Sequence, residues 1–221
     1  MMGQTTVHAR PRVIFLDAVG TLFGVQGSVG EQYSQITAQF GVIADPGHLD
    51  RAFYASFKAA PPCSFPGCNP ADIPAQEFRW WKNIAIDTFQ RAELFDQLTD
   101  FDAFFEALFT YFATAAPWYL YPDVRPTLDR WHKMGLTLAV LSNFDSRLYP
   151  VLQALGLQDY FSSITISTEA GAAKPDRHIF DVALQKHQCP AVAAWHIGDS
   201  YQEDFQASRS AGLRGIWLKR G

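Results

Sequence analysis

Short polar motifs, far apart in this 221-residue chain, carry side chains that could work together as one catalytic centre. Each motif lies where an apolar, β-rich run gives way to turn or helix-start residues. The side chains are a hydroxyl, an ammonium and three carboxylates: Asp17, Ser142, Lys174, Asp199 and Asp204. Because the carboxyl ends of parallel strands meet at one edge of a sheet, where such sheets bind ligands, we expect these groups to lie together there.

These motifs, in this order and over nearly the whole chain, resemble those of the haloacid dehalogenase superfamily. A closer resemblance is to the rhythmically-expressed-gene-like group of haloacid-dehalogenase-like hydrolase domain-containing proteins. It is carried by residues 142–148, by Trp80-Trp81 and by residues 64–66. The resemblance implies a hydrolase whose Rossmann-like core carries an inserted helical cap that acts as a lid.

Asp17 is the expected nucleophile. A carboxylate can attack phosphorus without first being deprotonated by a base, and the resulting aspartyl phosphate can be cleaved by water. Gly20 and Thr21 follow in the next turn, where backbone amides could face the phosphate. Glycine permits a close approach that a side chain would block. We therefore expect this turn to bind phosphate.

Ser142 and Asn143 end a second predicted strand. The hydroxyl of Ser142 and the amide of Asn143, placed just before a predicted helix, could bind a second phosphate oxygen at the helix amino end. Lys174 would supply a compact positive charge against the charge of the transferring group. These three residues complete the expected phosphate site.

A magnesium ion is the expected cofactor. Two carboxylates from neighbouring strand ends, Asp17 and Asp199, would form an oxygen-rich octahedral site with phosphate oxygens and water. The resemblance adds the backbone carbonyl of Val19 as a third protein ligand. Asp204 is expected to orient Lys174 or a metal-bound water, with Glu203 as its rival.

Val19 is the main departure from the phosphatases that the chain resembles, which usually carry a second aspartate at this position. That aspartate protonates the leaving oxygen and later deprotonates the attacking water. Such help is typically worth ~10² to ~10⁴ in rate, or about 3 to 5 kcal/mol of barrier. We therefore expect a slow enzyme, unless a cap residue supplies the acid. Candidates, each also suited to a surface or packing role, are Glu31, Tyr33, His48 and Lys58.

The apolar periodicity predicts an α/β core at residues 1–23 and 118–221 and a helical cap at residues 24–117. In the cap, Ser28 and Asp45-Pro46 have the sequence of helix starts, with helix ends at Gly41 and Pro61-Pro62. In the core, strands at 136–141, 163–167, 193–197 and 215–218 alternate with helices at 122–134, 146–154, 176–186 and 203–211. This alternation predicts a parallel sheet with helices on both faces.

Four further side chains have structural interpretations. Trp81 lies on the apolar stripe of a predicted cap helix and is expected to pack, while Trp80 is open between packing and shaping a pocket. His196 alternates with core positions and is interpreted as a structural histidine with satisfied hydrogen bonds. Arg147 matches a position of the related group and is expected to cap or bridge.

Composition narrows the class of protein. The chain has 18 Lys and Arg against 22 Asp and Glu, and a net charge of −4 gives no electrostatic reason to expect nucleic acid or an anionic membrane as partner. No run approaches the roughly 18 apolar residues of a membrane helix, and residues 1–12 lack the apolar core of a secretory signal. Three cysteines favour a reducing, cytoplasmic location, with Cys63 and Cys68 as free thiols.

Three functions follow from these observations. The leading one is a Mg²⁺-dependent hydrolase of a small phosphorylated metabolite. A 2-haloacid dehalogenase also has a non-acid two residues after its nucleophile. Dehalogenases, however, carry Ser and Asn in place of the last metal aspartate, and the cap shows no resemblance to their halide-binding arginine region. The third is a catalytically impaired protein that binds phosphate in a regulatory role.

Overall fold

The computed structural model describes residues 10–220. The sequence predicts a short loose tail at residues 1–12, and most of that stretch, residues 1–9, lies outside the described residues. The strands are β1 (Val13–Leu16), β2 (Phe23–Val25), β3 (Trp118–Leu120), β4 (Leu138–Ser142), β5 (Ile164–Ile166), β6 (Ala194–Gly198) and β7 (Arg214–Trp217).

Five of these strands form one parallel sheet in the order β5-β4-β1-β6-β7. The strand that ends just before Asp17 is therefore central, with the strand of Ser142 on one side and the strand that precedes Asp199 on the other. Side chains alternate between the two faces of a strand. Ile14 and Leu16 accordingly pack against the helices at 124–133 and 148–154, and Val13 and Phe15 pack on the opposite face against the helices at 177–186 and 207–210.

The α-helices are α1 (Val29–Gln39), α2 (Pro46–Ala59), α3 (Ile73–Arg91), α4 (Phe101–Tyr111), α5 (Val124–Lys133), α6 (Leu148–Ala154), α7 (Ser167–Ala170), α8 (Arg177–Lys186) and α9 (Ala207–Ser210). A π-helical turn, Tyr201–Gln206, precedes α9. The predicted fold class is confirmed: a Rossmann-like parallel sheet has helices on both faces and carries a helical cap. None of the described helices has the length and apolar character needed to cross a membrane.

The cap consists of α1 to α4, which bury a hydrophobic core of their own. Ser28 begins α1 by accepting a hydrogen bond from the Glu31 amide at 3.1 Å, and Asp45 begins α2 by accepting one from the His48 amide at 2.6 Å. Residues of the cap core include Tyr33, Leu49, Phe53, Ile84, Phe89, Phe104 and Leu108. The exact domain bounds, 24 and 117, stay a prediction.

A two-stranded antiparallel ribbon joins the cap to the sheet, and the sequence did not predict it. β2 pairs with β3, and Phe23 lies opposite Leu120. Strands of three residues are too short to show a period, so this ribbon gave no sequence signal. The ribbon closes the loop that contains the whole cap, and it brings both connections to the carboxyl edge of β1.

Candidate active site

Asp17, Lys174 and Asp204 form a buried charge network at the carboxyl edge of the sheet. The Nζ atom of Lys174 lies 2.8 Å from Oδ1 of Asp17 and 2.5 Å from Oδ1 of Asp204. Lys174 is only 4% exposed. Burial disfavours its charged form, but the two carboxylates outweigh burial and raise the pKa of Lys174 above its ordinary value. The ammonium therefore stays charged over the whole physiological range.

Asp204 is held at both of its carboxylate oxygens. Oδ1 lies 2.8 Å from Nε2 of His196, and Oδ2 accepts a hydrogen bond from the Ser200 amide at 2.9 Å. Burial raises its pKa, but the bonds from His196 and Lys174 prevail and hold the pKa of Asp204 below its usual range. A Cβ atom at Gly198 would overlap this carboxylate, so a residue with a side chain could not stand there without displacing it.

Asp199 lies on the open side of the site and contacts the turn after β1. The Oγ1 atom of Thr21 donates a hydrogen bond to Oδ1 of Asp199 at 3.3 Å. Gly20 has φ +82°, and a Cβ atom there would overlap the Asp199 carboxylate. Glycine at position 20 therefore allows both the turn and the close approach of Asp199.

Three carboxylates meet at this point. Oxygen atoms of Asp17, Asp199 and Asp204 all lie within 4.8 Å of one another. Desolvation, and then the charges of Asp17 and Asp204, raise the pKa of Asp199, as expected for like charges held together. An oxygen-only donor set with this excess of negative charge fits Mg²⁺, a hard cation that prefers carboxylate oxygens.

Asn143 holds the loop that carries Lys174. Its Oδ1 accepts a hydrogen bond from the Lys174 amide at 2.7 Å, and its Nδ2 donates to the Lys174 carbonyl at 2.9 Å. Nδ2 also lies 3.2 Å from Oε2 of Glu203, so Glu203 contacts Asn143, whereas Asp204 contacts Lys174. Ser142 ends β4 and is buried.

The expected helix amino end beside Asn143 is absent. The helix predicted from residue 146 begins instead at Leu148, the first residue of α6, so four residues separate Asn143 from it. Residues 144–147 are instead drawn into contacts with the cap, described below. The start of α6 therefore gives no support to phosphate binding at Asn143, which stays a prediction.

Val19 carries no acid into the site, and the four cap candidates occupy surface or packing positions. Val19 is half-buried and packs against the apolar layer that covers one face of the sheet. Glu31, His48 and Lys58 are exposed on cap helices. Tyr33 is buried against Phe53 and Phe89 within the cap core, and this burial raises its pKa. The surface and packing interpretations of these residues agree with the structure.

An interdomain clasp, formed by Trp81, Phe109, Asp145 and Arg147, joins the cap to the core. The Trp81 indole donates a hydrogen bond to Oδ2 of Asp145 at 2.6 Å. Arg147 pairs with the same carboxylate through Nη2 at 2.7 Å and Nε at 2.9 Å. Its guanidinium lies 4.0 Å from the Phe109 ring centre and 4.9 Å from that of Trp81. Trp81 therefore does more than pack, and Arg147 bridges the two parts as expected.

Glu77 makes a second interdomain contact, which the sequence analysis missed. This carboxylate is 1% exposed. It accepts hydrogen bonds from the Ser146 amide at 3.0 Å, from the Ser146 hydroxyl, and from the Thr168 hydroxyl at 2.6 Å. Burial raises the pKa of Glu77, and the bonds from Ser146 and Thr168 offset part of that rise. Glu77 lies four residues before Trp81, so both are on the same face of the helix. An acid on this apolar face was the sequence feature that could have indicated a buried contact.

The loop between α2 and α3 also rests on the core. The Ser167 hydroxyl donates to the Cys63 carbonyl at 2.6 Å, and the Trp80 indole donates to the Pro61 carbonyl at 3.0 Å. Cys63 and Cys68 are free thiols, as predicted. Burial raises the pKa of Cys63, so this thiol ionises poorly and is a weak nucleophile.

Comparison with known proteins agrees with this fold. The chain matches the family of haloacid dehalogenase-like hydrolases over residues 11–212 and belongs to it. It is 34% identical to haloacid dehalogenase-like hydrolase domain-containing protein 3 of Danio rerio, over 95% of this chain and 85% of that protein. It is also 37% identical to a phosphoserine phosphatase of Thermus thermophilus, over 46% of this chain and 41% of that protein.

The fold has solved counterparts. One is the putative hydrolase YfnB from Bacillus subtilis, whose magnesium-bound crystal structure superposes with a TM-score of 0.70 at 15% identity, covering 95% of this chain and 87% of that one. At this identity the likeness concerns the fold. The family resemblance seen in the sequence motifs is confirmed, and the chain is a hydrolase of that family.

Proposed function

We propose that this chain is a Mg²⁺-dependent hydrolase of a small phosphorylated metabolite. The observation that carries the proposal is the buried contact of Lys174 with both Asp17 and Asp204, beside an open carboxylate at Asp199. A nucleophile, a fixed positive charge and a cation-binding cluster around one point suit the attack of a carboxylate on a dianionic phosphate. The phosphoserine phosphatase relative supports the same chemistry.

Asp17 acts as the nucleophile in this proposal. Because Lys174 binds Oδ1 of Asp17, Oδ2 is the oxygen left to attack phosphorus. The bond from phosphorus to the ester oxygen breaks, and the alcohol leaves. Water then cleaves the aspartyl phosphate at Asp17 and releases inorganic phosphate. Lys174 stabilises the negative charge on the equatorial oxygens of the phosphoryl group during transfer, because its own positive charge is in place before the substrate binds.

The turn after β1 and the end of β4 would bind the phosphate. The hydroxyl of Ser142 supplies an uncharged donor, and Asn143 keeps the loop of Lys174 in place. The amides of Gly20 and Thr21 donate within the turn, to the carbonyls of Phe23 at 2.8 Å and Ala18 at 3.2 Å, so phosphate binding at these two positions stays a prediction. Asp17, Asp199 and the carbonyl of Val19 would hold Mg²⁺. When bound, this ion supplies positive charge that offsets the charge of the phosphate.

Val19 sets the leaving-group preference in this proposal. With no side-chain acid at this position, the leaving oxygen takes its proton from solvent. Aryl and acyl phosphates need little protonation on departure, so they should react far faster than alkyl phosphates. Three free cysteines and an acidic net charge are consistent with a reducing, cytoplasmic setting and a small-molecule substrate.

The direct test is hydrolysis of p-nitrophenyl phosphate with Mg²⁺ and with EDTA. We expect turnover that requires Mg²⁺ and is lost in Asp17→Asn, because that change removes the nucleophile and a metal ligand together. Asp159→Asn, a matched change at an exposed residue, should leave turnover unchanged. EDTA-resistant hydrolysis, or full activity in Asp17→Asn, would overturn the proposal.

The second candidate is a 2-haloacid dehalogenase, favoured by the non-acid residue at Val19. Asp199 argues against it, because a carboxylate at that point suits a cation. We expect no chloride release from L-2-chloropropionate above a control without enzyme. Release that persists in EDTA would favour the dehalogenase. If neither substrate turns over but inorganic phosphate binds, the chain is a phosphate-binding regulatory protein.

A further inference from the structure

His196 lies behind the charge network, in the middle of β6. It is 0% exposed, stands opposite Phe15 in the sheet register and meets the Phe180 ring edge-on at 5.5 Å. Its Nε2 atom lies 2.8 Å from Oδ1 of Asp204, the same oxygen that lies 2.5 Å from Nζ of Lys174. Asp204 therefore connects His196 to Lys174, the lysine that contacts Asp17.

The two ring nitrogens of His196 have different surroundings. Nε2 faces a carboxylate, which accepts hydrogen bonds, whereas Nδ1 has no hydrogen-bond partner among residues 10–220. A neutral imidazole carries its proton on one nitrogen only. A proton on Nδ1 would be a buried donor without an acceptor and would leave Nε2 facing an acceptor, which is costly at both atoms. The geometry therefore selects the tautomer protonated at Nε2. The sequence interpretation of a fully satisfied histidine was wrong for Nδ1.

We propose that His196 is a positioning residue: its Nε2–H fixes Oδ1 of Asp204, and Asp204 in turn holds the ammonium of Lys174 against Asp17. The Ser200 amide fixes the other oxygen of Asp204, so the carboxylate is clamped at both ends. Without the histidine donor, Oδ1 of Asp204 keeps only Lys174 as a partner. Asp204 and Lys174 can then move together, away from the position that holds the ammonium against Asp17. The effect on rate rests on the proposed phosphatase function.

The test compares two substitutions of similar size. His196→Gln can place an amide N–H close to the position of Nε2, whereas His196→Leu fills the space without a donor. We expect His196→Leu to lose ~10- to ~100-fold in kcat, the usual effect of removing an outer hydrogen-bond partner, with a smaller change in KM. His196→Gln should recover most of kcat. A purely structural role would instead lower stability in both variants and leave kcat of the folded protein unchanged.

A second measurement is independent of activity. A long-range ¹H–¹⁵N spectrum of the wild type identifies which ring nitrogen carries the proton, and we expect protonated Nε2 and unprotonated Nδ1. The Nδ1–H tautomer would overturn the inference, as would equal kcat in the wild type and a folded His196→Leu, or no recovery in a folded His196→Gln. A wild type without any phosphatase activity would contradict the proposed function, while the tautomer would still decide whether His196 binds Asp204 as assigned.

Discussion

The clasp residue Asp145 should be among the most sensitive positions for stability outside the hydrophobic cores. Its carboxylate is 1% exposed and accepts hydrogen bonds from the Trp81 indole, the Arg147 guanidinium and the Arg147 amide. Asp145→Ala removes all of them and leaves the Arg147 charge buried, at 9% exposure, without its carboxylate. Breaking one partner of a buried ion pair costs about 3 to 5 kcal/mol.

A milder substitution in the clasp distinguishes the contribution of the Arg147–Asp145 ion pair from that of the Trp81–Asp145 hydrogen bond. Trp81→Phe keeps the ring contact with Arg147 but removes the indole N–H, while Asp145 keeps both bonds from the guanidinium. A hydrogen bond to a charged group contributes about 1.5 to 3 kcal/mol, so Trp81→Phe should cost less than Asp145→Ala. Asp159→Ala, at an exposed aspartate, should change the free energy of unfolding by less than about 0.5 kcal/mol.

Urea unfolding of the three variants and the wild type, followed by circular dichroism, gives the free energies. We expect the loss of unfolding free energy to be largest for Asp145→Ala, smaller for Trp81→Phe and smallest for Asp159→Ala. An Asp145→Ala variant within about 1 kcal/mol of wild type would refute it, because the buried Arg147 charge would then have found water or another partner. A Trp81→Phe variant as damaged as Asp145→Ala would show that the indole bond, and not the ion pair, dominates the clasp.

Three further predictions concern the site and the cap. Val19→Asp should raise alkyl-phosphate turnover by at most ~10² to ~10⁴ and should weaken the dependence of rate on leaving-group pKa. If the wild-type rate already showed little dependence on leaving-group pKa, with fast alkyl turnover, the role assigned to Val19 would be wrong. In a metal titration, Asp199→Ala should weaken Mg²⁺ binding more than Asp204→Ala does, because Asp204 is paired with Lys174 whereas Asp199 is not. The reverse order would overturn the ligand assignment. The pKa of Glu77 is raised on folding, so the folded chain binds this proton more tightly than the unfolded chain, and its contribution to stability falls as pH rises above about 4.3. Glu77→Gln should therefore flatten the stability–pH curve above that pH, and an unchanged slope in urea unfolding would show that the buried carboxylate does not titrate as inferred.

The sequence predicted the sheet and its carboxyl edge because each strand is an apolar run that ends in a polar turn. The cap helix starts at Ser28 and Asp45 were also predictable, since capping depends on residues only three positions apart. Local patterns of this kind need no knowledge of tertiary contacts.

What the sequence did not predict depends on contacts between distant segments. The β2–β3 ribbon exists only because residues 23–25 and 118–120 meet, and neither segment has a period of its own. Residues 144–147 are held by Trp81 and Glu77 of the cap, which explains why α6 begins later than its composition suggested. His196 has the pattern of a core residue, and only the fold reveals that its ring reaches Asp204.

The proposed function depends on an aspartyl phosphate at Asp17, and Val19 should make this intermediate accessible to measurement. With no side chain at this position to activate water, the second step should be slow, so the intermediate should accumulate. Acid quenching of the protein during turnover of p-nitrophenyl phosphate with Mg²⁺, followed by peptide mass spectrometry, locates the phosphoryl group. The account predicts phosphate on the peptide that contains Asp17, present in Asp159→Asn and absent in Asp17→Asn. Turnover with no phosphoryl group at Asp17, or with the group on another residue, would contradict it.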